Sequence, residues 1–230
     1  MHNLMETSVF LCLILSLLGY EIGLFLKRKL RWGICNPLLI AIAFVMCMLK
    51  ILDIDYDSYQ EGASILSYLL TPATVCLSIP LYQQLELLKK NMKAILFGIL
   101  SGVLTSMTGV LLLSMFFHLQ KEMYATLLPK SITTAIGMGI SEELGGIVTI
   151  SVATIVITGV IGNVIAETVC RLSGIHDAIA RGVAIGTSAH AIGTVKAMEM
   201  GEIEGAMSSL SIAVAGLMTV LGASIFYQLY

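Results

Sequence analysis

Two ionisable side chains lie inside apolar stretches of this sequence, each next to hydroxyl residues and helix breakers. Lys130 follows Pro129 in the run Leu128–Thr134, and His190 lies in the glycine-rich segment 186–194. If these stretches are buried in a membrane, an ionisable group there is costly and normally faces a cavity on a transport pathway. A lysine beside free helix N-termini would bind an anion, such as a small carboxylate. The alternative for Lys130 is that its ammonium reaches the headgroup interface.

His190 has two interpretations, and the sequence leaves both open. It is either a neutral core histidine bonded to a carbonyl, or a ligand for the anion or the carrier of a coupled proton, because imidazole titrates near neutral pH. Neighbouring hydroxyls are expected to donate hydrogen bonds to the bound carboxylate. These candidate binding residues are Thr74, Ser131, Thr133, Thr187 and Ser188.

Three segments must interrupt their helices to expose such donors. Each combines serine or threonine with residues that break helices, which are Pro72 and Pro80, Pro129, and Gly186 and Gly193. Proline removes a backbone donor and frees the carbonyl one turn earlier, and glycine lets the backbone open cheaply. The half-helix that begins after each break would present free N–H groups to an anion.

The composition places these segments in a bilayer. Hydrophobic residues make up 57% of the 230 residues and charged residues only 12%, about half the usual charge of a soluble domain, with a mean hydropathy of +0.92. This excludes a soluble enzyme. A net charge of −2 without a basic stripe excludes a nucleic-acid binder. The sequence has no nucleophile–base–acid constellation, nucleotide loop or metal-binding spacing, and its five cysteines are scattered, so we predict neither an enzyme nor a cofactor or metal.

Hydropathy predicts an all-α, polytopic membrane protein. A span needs about 20 mostly apolar residues. Eight segments are candidates, and three of them are irregular: Thr7–Leu26, Trp32–Leu49, Gly62–Leu85, Ala94–Phe117, Met123–Ser141, Leu144–Ala166, Gly182–Val195 and Gly205–Gln228.

The distribution of lysine and arginine predicts the topology. The basic run 27–31 and the lysines at 89–93 are expected in the cytoplasm. Arg171 and Arg181 join them only if Met123–Ser141 enters the membrane and returns. We therefore predict about seven crossings plus one broken or re-entrant segment, with the N-terminus outside. The loop Glu199–Glu204 then faces out and the C-terminus is cytoplasmic.

The chain is predicted to be one domain, with peripheral helices in 1–60 and a core of interrupted helices in 61–230. A shift of 57 residues superimposes Pro129 on Gly186, Ser131 on Ser188 and Gly102 on Gly159, which suggests internal repeats of the kind that build transporters. So few matches in so apolar a sequence also arise by chance, and they do not distinguish parallel from inverted repeats.

In their order, the irregular segments resemble the LrgB/CidB family of bacterial membrane proteins. The similar stretches are LTPATVCLSIPLYQ (70–83), LPKSITTAIGMGI (128–140) and RGVAIGTSAHAIGTVKA (181–197), with a weaker likeness in EGAMSSL (204–210). The combination of LPKS and GTxxHxxGT is specific, whereas either pattern alone is not. Ala189 departs from the family pattern, in which a serine often precedes the histidine.

The resemblance implies two functions in a multi-pass protein of the bacterial inner (cytoplasmic) membrane. Members are named as antiholin-like or holin-like modulators of murein hydrolase export and autolysis, and are usually encoded beside a small LrgA/CidA-like membrane partner. The plastid glycolate/glycerate translocator is similar to a fusion of the two, and related pairs are linked to pyruvate uptake.

From the residues we predict a carrier for small monocarboxylates such as glycolate, glycerate, lactate or pyruvate, working by alternating access and using a coupled proton if His190 carries one. Three broken, hydroxyl-rich segments suit a fixed binding site better than a membrane lesion. The alternative is an antiholin-like or holin-like modulator, and a third interpretation is an inactive half that needs its partner. Paired glycines such as Gly98/Gly102 and Gly182/Gly186 indicate close helix packing, within one chain or in a homodimer.

Overall fold

In the computed structural model, which describes residues 9–30, 37–76 and 78–230, every regular element is an α-helix. The helices of these ranges are α1 Val9–Leu30, α2 Pro37–Leu52, α3 Tyr56–Gly62, α4 Ser64–Cys76, α5 Ser78–Gln83, α6 Leu85–Phe116, α7 Lys121–Leu127, α8 Thr134–Glu143, α9 Val148–Leu172, α10 Ala178–Met200 and α11 Glu202–Leu229.

Within the described ranges, α1, α6, α9 and α11 are long and apolar enough to cross a membrane. The bent pair α2 and α3 would add a fifth span if it is counted as one. The predicted class, an all-α membrane protein, is confirmed. The predicted number of seven crossings is not confirmed.

Internal contacts divide the chain into two compact units, Met1–Cys76 and Leu77–Tyr230. In the first unit, Gly19 and Gly23 of α1 let α2 approach closely, since a methyl group on Gly23 would lie 2.5 Å from the Pro37 carbonyl oxygen. After a bend of 120°, α3 turns back onto α1, and the Tyr59 hydroxyl lies 2.7 Å from Ser16 Oγ. The division of one domain at residue 60 stays a prediction.

The second unit is built on α6, α9 and α11, with α5 packed against α11. Its core consists of apolar side chains of α6, α11 and the segment between α7 and α8, among them Ile95, Ile99, Met107, Leu128 and Met207. Met107 of α6 contacts Gly222 of α11, and Ser114 near the end of α6 lies by Tyr230. These two helices therefore run in the same direction.

Residues 121–143, which we call hairpin A, enter this unit and turn back. Its arms are α7 and α8, and its tip is the turn 128–133. Thr126 and Ser141 would be about 22 Å apart on a straight helix, yet Ser151 Oγ of α9 lies 2.8 Å from the Thr126 carbonyl oxygen and 2.7 Å from Ser141 Oγ. The predicted break in Met123–Ser141 is therefore present as a re-entrant hairpin.

Helix α10 also turns back, and we call it hairpin B. His190 has φ 40° and ψ −143°, which ends one helical arm (178–189) and starts another (191–200). Arg181 and Lys196 line one cavity of about 440 Å³, although a straight helix would hold them about 22 Å apart. The contacts with α11 show the same reversal. In the first arm Gly182 contacts Glu204 and Gly186 contacts Ser208, so this arm is parallel to α11. In the second arm Thr194 contacts Ser208 and Met198 contacts Gly205, so this arm is antiparallel to α11.

This second hairpin corrects the predicted topology. The segment Gly182–Val195 was expected to cross the membrane, but both of its ends lie beside the C-terminal end of α9, where Lys196 Nζ is 3.0 Å from Glu167. Arg181 pairs with Glu204 at 3.7 Å, so the loop Glu199–Glu204 lies on the side of Arg171 and Arg181 rather than opposite them. Because α11 then crosses, the C-terminus lies on the other side of the membrane from these arginines.

Candidate functional site

A cavity of about 690 Å³ lies between α6 and the first arm of hairpin B, and the tip of hairpin A ends it. At one end its lining includes Asn91, beside the lysines of α6, and Asp177, which precedes α10 near Arg181. At the other end it includes Ser106, Lys130 and Ser131. Ser106 is about 15 Å from the far end of α6 at 1.5 Å per residue. The polar end of the cavity is thus well inside the span.

Lys130 supplies the positive charge at this polar end. Its Nζ donates a hydrogen bond to Ser131 Oγ at 3.0 Å, and Ser131 Oγ is 2.9 Å from Ser106 Oγ of α6. Because an ammonium group only donates, Ser131 accepts from Lys130, and either hydroxyl can donate in its bond with Ser106. In the part of the chain that the structure describes, Lys130 forms no ion pair with a carboxylate.

Thr187 brings a hydroxyl to the same place from hairpin B. Its side chain is only 5% exposed, and Oγ1 has no hydrogen-bond partner among the described residues. Thr187 also faces a void of about 10 Å³ that is shared with Ser106, Ser131 and Thr219. Leaving a buried hydroxyl unpaired costs about 1–3 kcal/mol, and a ligand group that reached Thr187 Oγ1 through this void would remove that cost.

Four of the predicted binding residues line this cavity, namely Lys130, Ser131, Thr187 and Ser188. Two are placed elsewhere: Thr133 precedes α8 as its N-cap residue without a side-chain hydrogen bond to the helix, and His190 is buried against α9. The backbone of Thr74 lies in α4, and its side chain falls outside the described part of the structure. The binding roles of all seven residues stay predictions.

The tip of hairpin B is fixed by its neighbours on both sides. His190 Nε2 donates to the Ile155 carbonyl oxygen of α9 at 3.0 Å, and Asn163 Nδ2 donates to the Ile192 carbonyl oxygen at 2.8 Å. On the other side, Thr194 Oγ1 lies 2.7 Å from Ser208 Oγ of α11. Positive φ is unfavourable for a residue with a side chain, and these bonds hold His190 in it.

The helix breaks differ in position from most of the predicted breakers. Pro129 lies in the tip of hairpin A, as expected. Pro72 lies inside α4, and Pro80 is the third residue of α5. Gly186 and Gly193 lie in helical arms, where Gly186 lets α11 approach and Gly193 accommodates the other arm of hairpin B. The break itself is at His190, since the bonds from α9 and α11 determine where the chain reverses.

Sequence reasoning missed the wall that α6 contributes. The residues of this wall recur at helical spacing on one face: Asn91, Ala94, Ile95, Gly98, Ser101, Gly102, Thr105 and Ser106. This stripe of small and hydroxyl residues within a long apolar helix was a signal available in the sequence. It was overlooked because α6 has no proline and no charge in its apolar part, and Gly98 and Gly102 were interpreted as helix-packing residues.

The arrangement combines Lys130, which forms no ion pair within the described residues, with hydroxyl donors and small residues. A single carboxylate could accept from Lys130 Nζ and Thr187 Oγ1, while the Gly98 and Gly102 backbone leaves room for the rest of a small molecule. Near the mouth, the carboxylate of Asp177 accepts from the Ala180 backbone N–H and caps the first arm of hairpin B. The site is therefore suited to a small anion.

These features define an all-helical membrane protein in which two re-entrant hairpins meet beside a cavity with a polar inner end. The model of the LrgB-like family matches residues 16–229, and the chain belongs to this family. The chain is 35% identical to the antiholin-like protein LrgB of Bacillus subtilis over 96% of both chains. It is 35% identical to the holin-like protein CidB of Staphylococcus epidermidis and 36% identical to that of Staphylococcus aureus, over 87% of each chain. No solved structure matches the chain.

Proposed function

We propose that this protein is a carrier of small monocarboxylates such as glycolate, glycerate, lactate or pyruvate in the bacterial cytoplasmic membrane. One observation carries the proposal: the Lys130 ammonium lies at the inner end of a cavity within the span and has no carboxylate partner in the described chain. A buried charge without a counter-ion is costly. A transported anion would provide that counter-ion while it is bound.

The two hairpins support a transport mechanism. Many carriers place their substrate at the midplane, where discontinuous helices meet, and move one repeat against the other. Here the carboxylate would bind Lys130, with Ser131 and Thr187 as hydroxyl donors, and Ser188 would contact the remainder of the molecule. His190 is bonded to α9 rather than directed into the cavity, so a proton carried by His190 would require this bond to open.

A second candidate function comes from the relatives. Their printed names, antiholin-like LrgB and holin-like CidB, favour a modulator of murein hydrolase export and autolysis, and they favour it more directly than they favour a carrier. In that role the protein would assemble as a homodimer or with a small LrgA/CidA-like membrane partner. A modulator of this kind does not require an unpaired lysine in a cavity.

The decisive experiment is uptake of labelled glycolate and pyruvate into liposomes that contain the purified chain, with and without an inward proton gradient. A trapped fluorescent dye reports leakage. A carrier gives saturable uptake without dye release, and its response to the gradient reports proton coupling. Dye release without saturation would overturn the carrier proposal and support a pore-forming role.

The matched variants are Lys130→Met and Lys89→Met. Lys130→Met should lower uptake tenfold or more, because it removes the charge that holds the anion. Lys89 is an exposed lysine of α6 outside the cavity, so its replacement should leave uptake unchanged. Equal uptake by both variants would contradict the assigned role of Lys130. If the chain alone is inactive, the same assay with the small partner tests whether transport needs both proteins.

A further inference from the structure

The second unit consists of two halves with the same plan and opposite orientation. Helix α6 is followed by hairpin A, and α9 is followed by hairpin B. The 57-residue shift that superimposes Gly102 on Gly159 also superimposes Ser106 on Asn163. Each of these two residues bonds the hairpin of its own half, Ser106 to Ser131 and Asn163 to the Ile192 carbonyl oxygen. Because α6 and α9 are antiparallel and the hairpins enter from opposite sides, the repeats are inverted.

In this structure the two halves differ in how a long helix meets the other half's hairpin. Helix α6 and the first arm of hairpin B are in contact at Gly98 and Gly102, and the cavity of about 690 Å³ lies along this contact, since both glycines line it. The equivalent pair, α9 and the first arm of hairpin A, is closed. There Thr126 Oγ1 accepts from the Ile147 backbone N–H at 2.8 Å, and Ser151 Oγ lies 2.8 Å from the Thr126 carbonyl oxygen.

From this asymmetry we infer a second cleft, between α9 and α7, that opens toward the side of the membrane opposite Arg171 and Arg181. It forms when hairpin A separates from α9. Its walls would carry Thr126 and Ser151. In the present state each of these hydroxyls forms a hydrogen bond with the backbone of the opposite segment. Lys130 and Ser131 at the tip of hairpin A would then be reached from that side.

The chemistry of the closed interface suits a reversible contact. Thr126 and Ser151 are both fully buried, and neutral hydroxyls that lose a partner regain hydrogen bonds when water enters. An apolar seam would instead expose hydrocarbon to that water. Opposite it, Gly98 and Gly102 of α6 already keep the first arm of hairpin B in close contact. The inference rests on the proposed alternating access, but its test requires no transport.

The test is thiol labelling in sealed vesicles of known orientation with a membrane-impermeant maleimide. The starting protein has all five cysteines replaced, and single cysteines are introduced as Ser151→Cys, Thr105→Cys and Ser211→Cys. Thr105 lines the present cavity. Ser211 is the matched control, because it is a fully buried helical serine between α10 and α11, away from the proposed cleft.

We expect Thr105→Cys to react from the arginine side, and Ser151→Cys to react from the opposite side at least tenfold faster than Ser211→Cys. Labelling after denaturation checks that each thiol is present and free. Reaction of Ser151→Cys at the rate of Ser211→Cys, or from the arginine side only, would overturn the inference. Expected labelling without anion uptake would support the second cleft and contradict the carrier proposal. Anion uptake without the expected labelling would support the carrier proposal and contradict the second cleft.

Discussion

The polar end of the cavity offers an anion two different donors, the ammonium of Lys130 and the hydroxyl of Thr187. Lys130 already donates to Ser131, whereas Thr187 Oγ1 has no partner in the described chain. The two residues come from hairpins that enter the membrane from opposite sides, and Thr187 is held against α6 by its contact with Gly102. An anion that binds both would therefore connect the two halves of the unit.

Thr187→Val should separate binding from stability. Valine has nearly the shape of threonine, and removing an unpaired buried hydroxyl should leave the free energy of unfolding unchanged or raise it by about 1–3 kcal/mol. Loss of a hydrogen bond to a charged ligand costs about 1.5–3 kcal/mol, so the Kd for glycolate should rise on the order of 10–100-fold. Isothermal titration and thermal unfolding in detergent measure the two effects.

Thr126→Val is the control for this prediction. The Thr126 hydroxyl accepts from the Ile147 N–H and donates to the Glu122 carbonyl oxygen, so its removal should lower stability by about 1–3 kcal/mol. If Thr187→Val destabilises the protein as much as Thr126→Val and leaves the Kd unchanged, Thr187 has a purely structural role.

At the residue scale, the sequence identified the polar end of the cavity through its unusual chemistry. A lysine after a proline and a Gly-Thr-Ser run stand out in apolar stretches, and Lys130, Ser131, Thr187 and Ser188 do share a cavity. Ser106 did not stand out because it is one of several serines and threonines in an apolar helix that has no proline or charge beside them. The orientation of His190 toward Ile155 depends on a neighbour 35 residues away, which no local pattern encodes.

At the scale of elements, hairpin B is held by contact between backbones. A methyl group on Gly182 would lie 2.5 Å from the Glu204 carbonyl oxygen, and one on Gly186 would lie 2.8 Å from Ser208 Cα. Small residues let helices approach this closely in a bilayer, where packing replaces the hydrophobic effect as the source of attraction. Both glycines lie in the first arm, which also forms one wall of the cavity.

Gly186→Ala should therefore destabilise the protein, because the added methyl group separates α10 from α11. Overpacking of this kind costs about 1–3 kcal/mol, and the melting temperature in detergent should fall. Gly109→Ala is the matched control, since it lies in α6 with open space around its Cα and alanine is favoured over glycine in a helix by about 0.5–1 kcal/mol. Equal stability of the two variants would argue against close packing at Gly186.

The elements also explain where sequence reasoning failed. The length of an apolar run distinguishes a full span of about 20 residues from a run of about 14. It does not show whether the shorter run crosses the membrane or turns back as a hairpin, because both have the same composition. The reversal at His190 is imposed by bonds from Asn163 and Ser208, which lie on other helices. The positive-inside rule placed Arg171 and Arg181 with the lysines of α6 by making Met123–Ser141 re-entrant, which is hairpin A, but it did not predict hairpin B.

For the whole molecule, the two hairpins fix which loops share a side of the membrane. The ion pairs Arg181–Glu204 and Lys196–Glu167 join both ends of hairpin B to the end of α9. Because α11 alone crosses the membrane between these ion pairs and Tyr230, Tyr230 lies on the opposite side. The charge rule alone had placed the C-terminus and the arginines together.

Three exposed single cysteines in the cysteine-free protein decide between these topologies. We expect Ser173→Cys and Glu202→Cys to react with an impermeant maleimide from the same side, and Gln228→Cys from the other side. The charge-based topology instead places residues 173 and 228 together and residue 202 opposite. Labelling from both sides of sealed vesicles, with a lysed sample as the control for total thiol, separates the two patterns.

The reversal at His190 also has a consequence for biosynthesis. Hairpin B is rich in glycine and hydroxyls, and its unpaired backbone at the tip cannot remain in lipid without protein around it. Its largest packing surface is α11, which is synthesised after it. Hairpin B must therefore stay outside the hydrocarbon, or be shielded by other proteins, until α11 has been made. A chain released at Met200 would lack that surface.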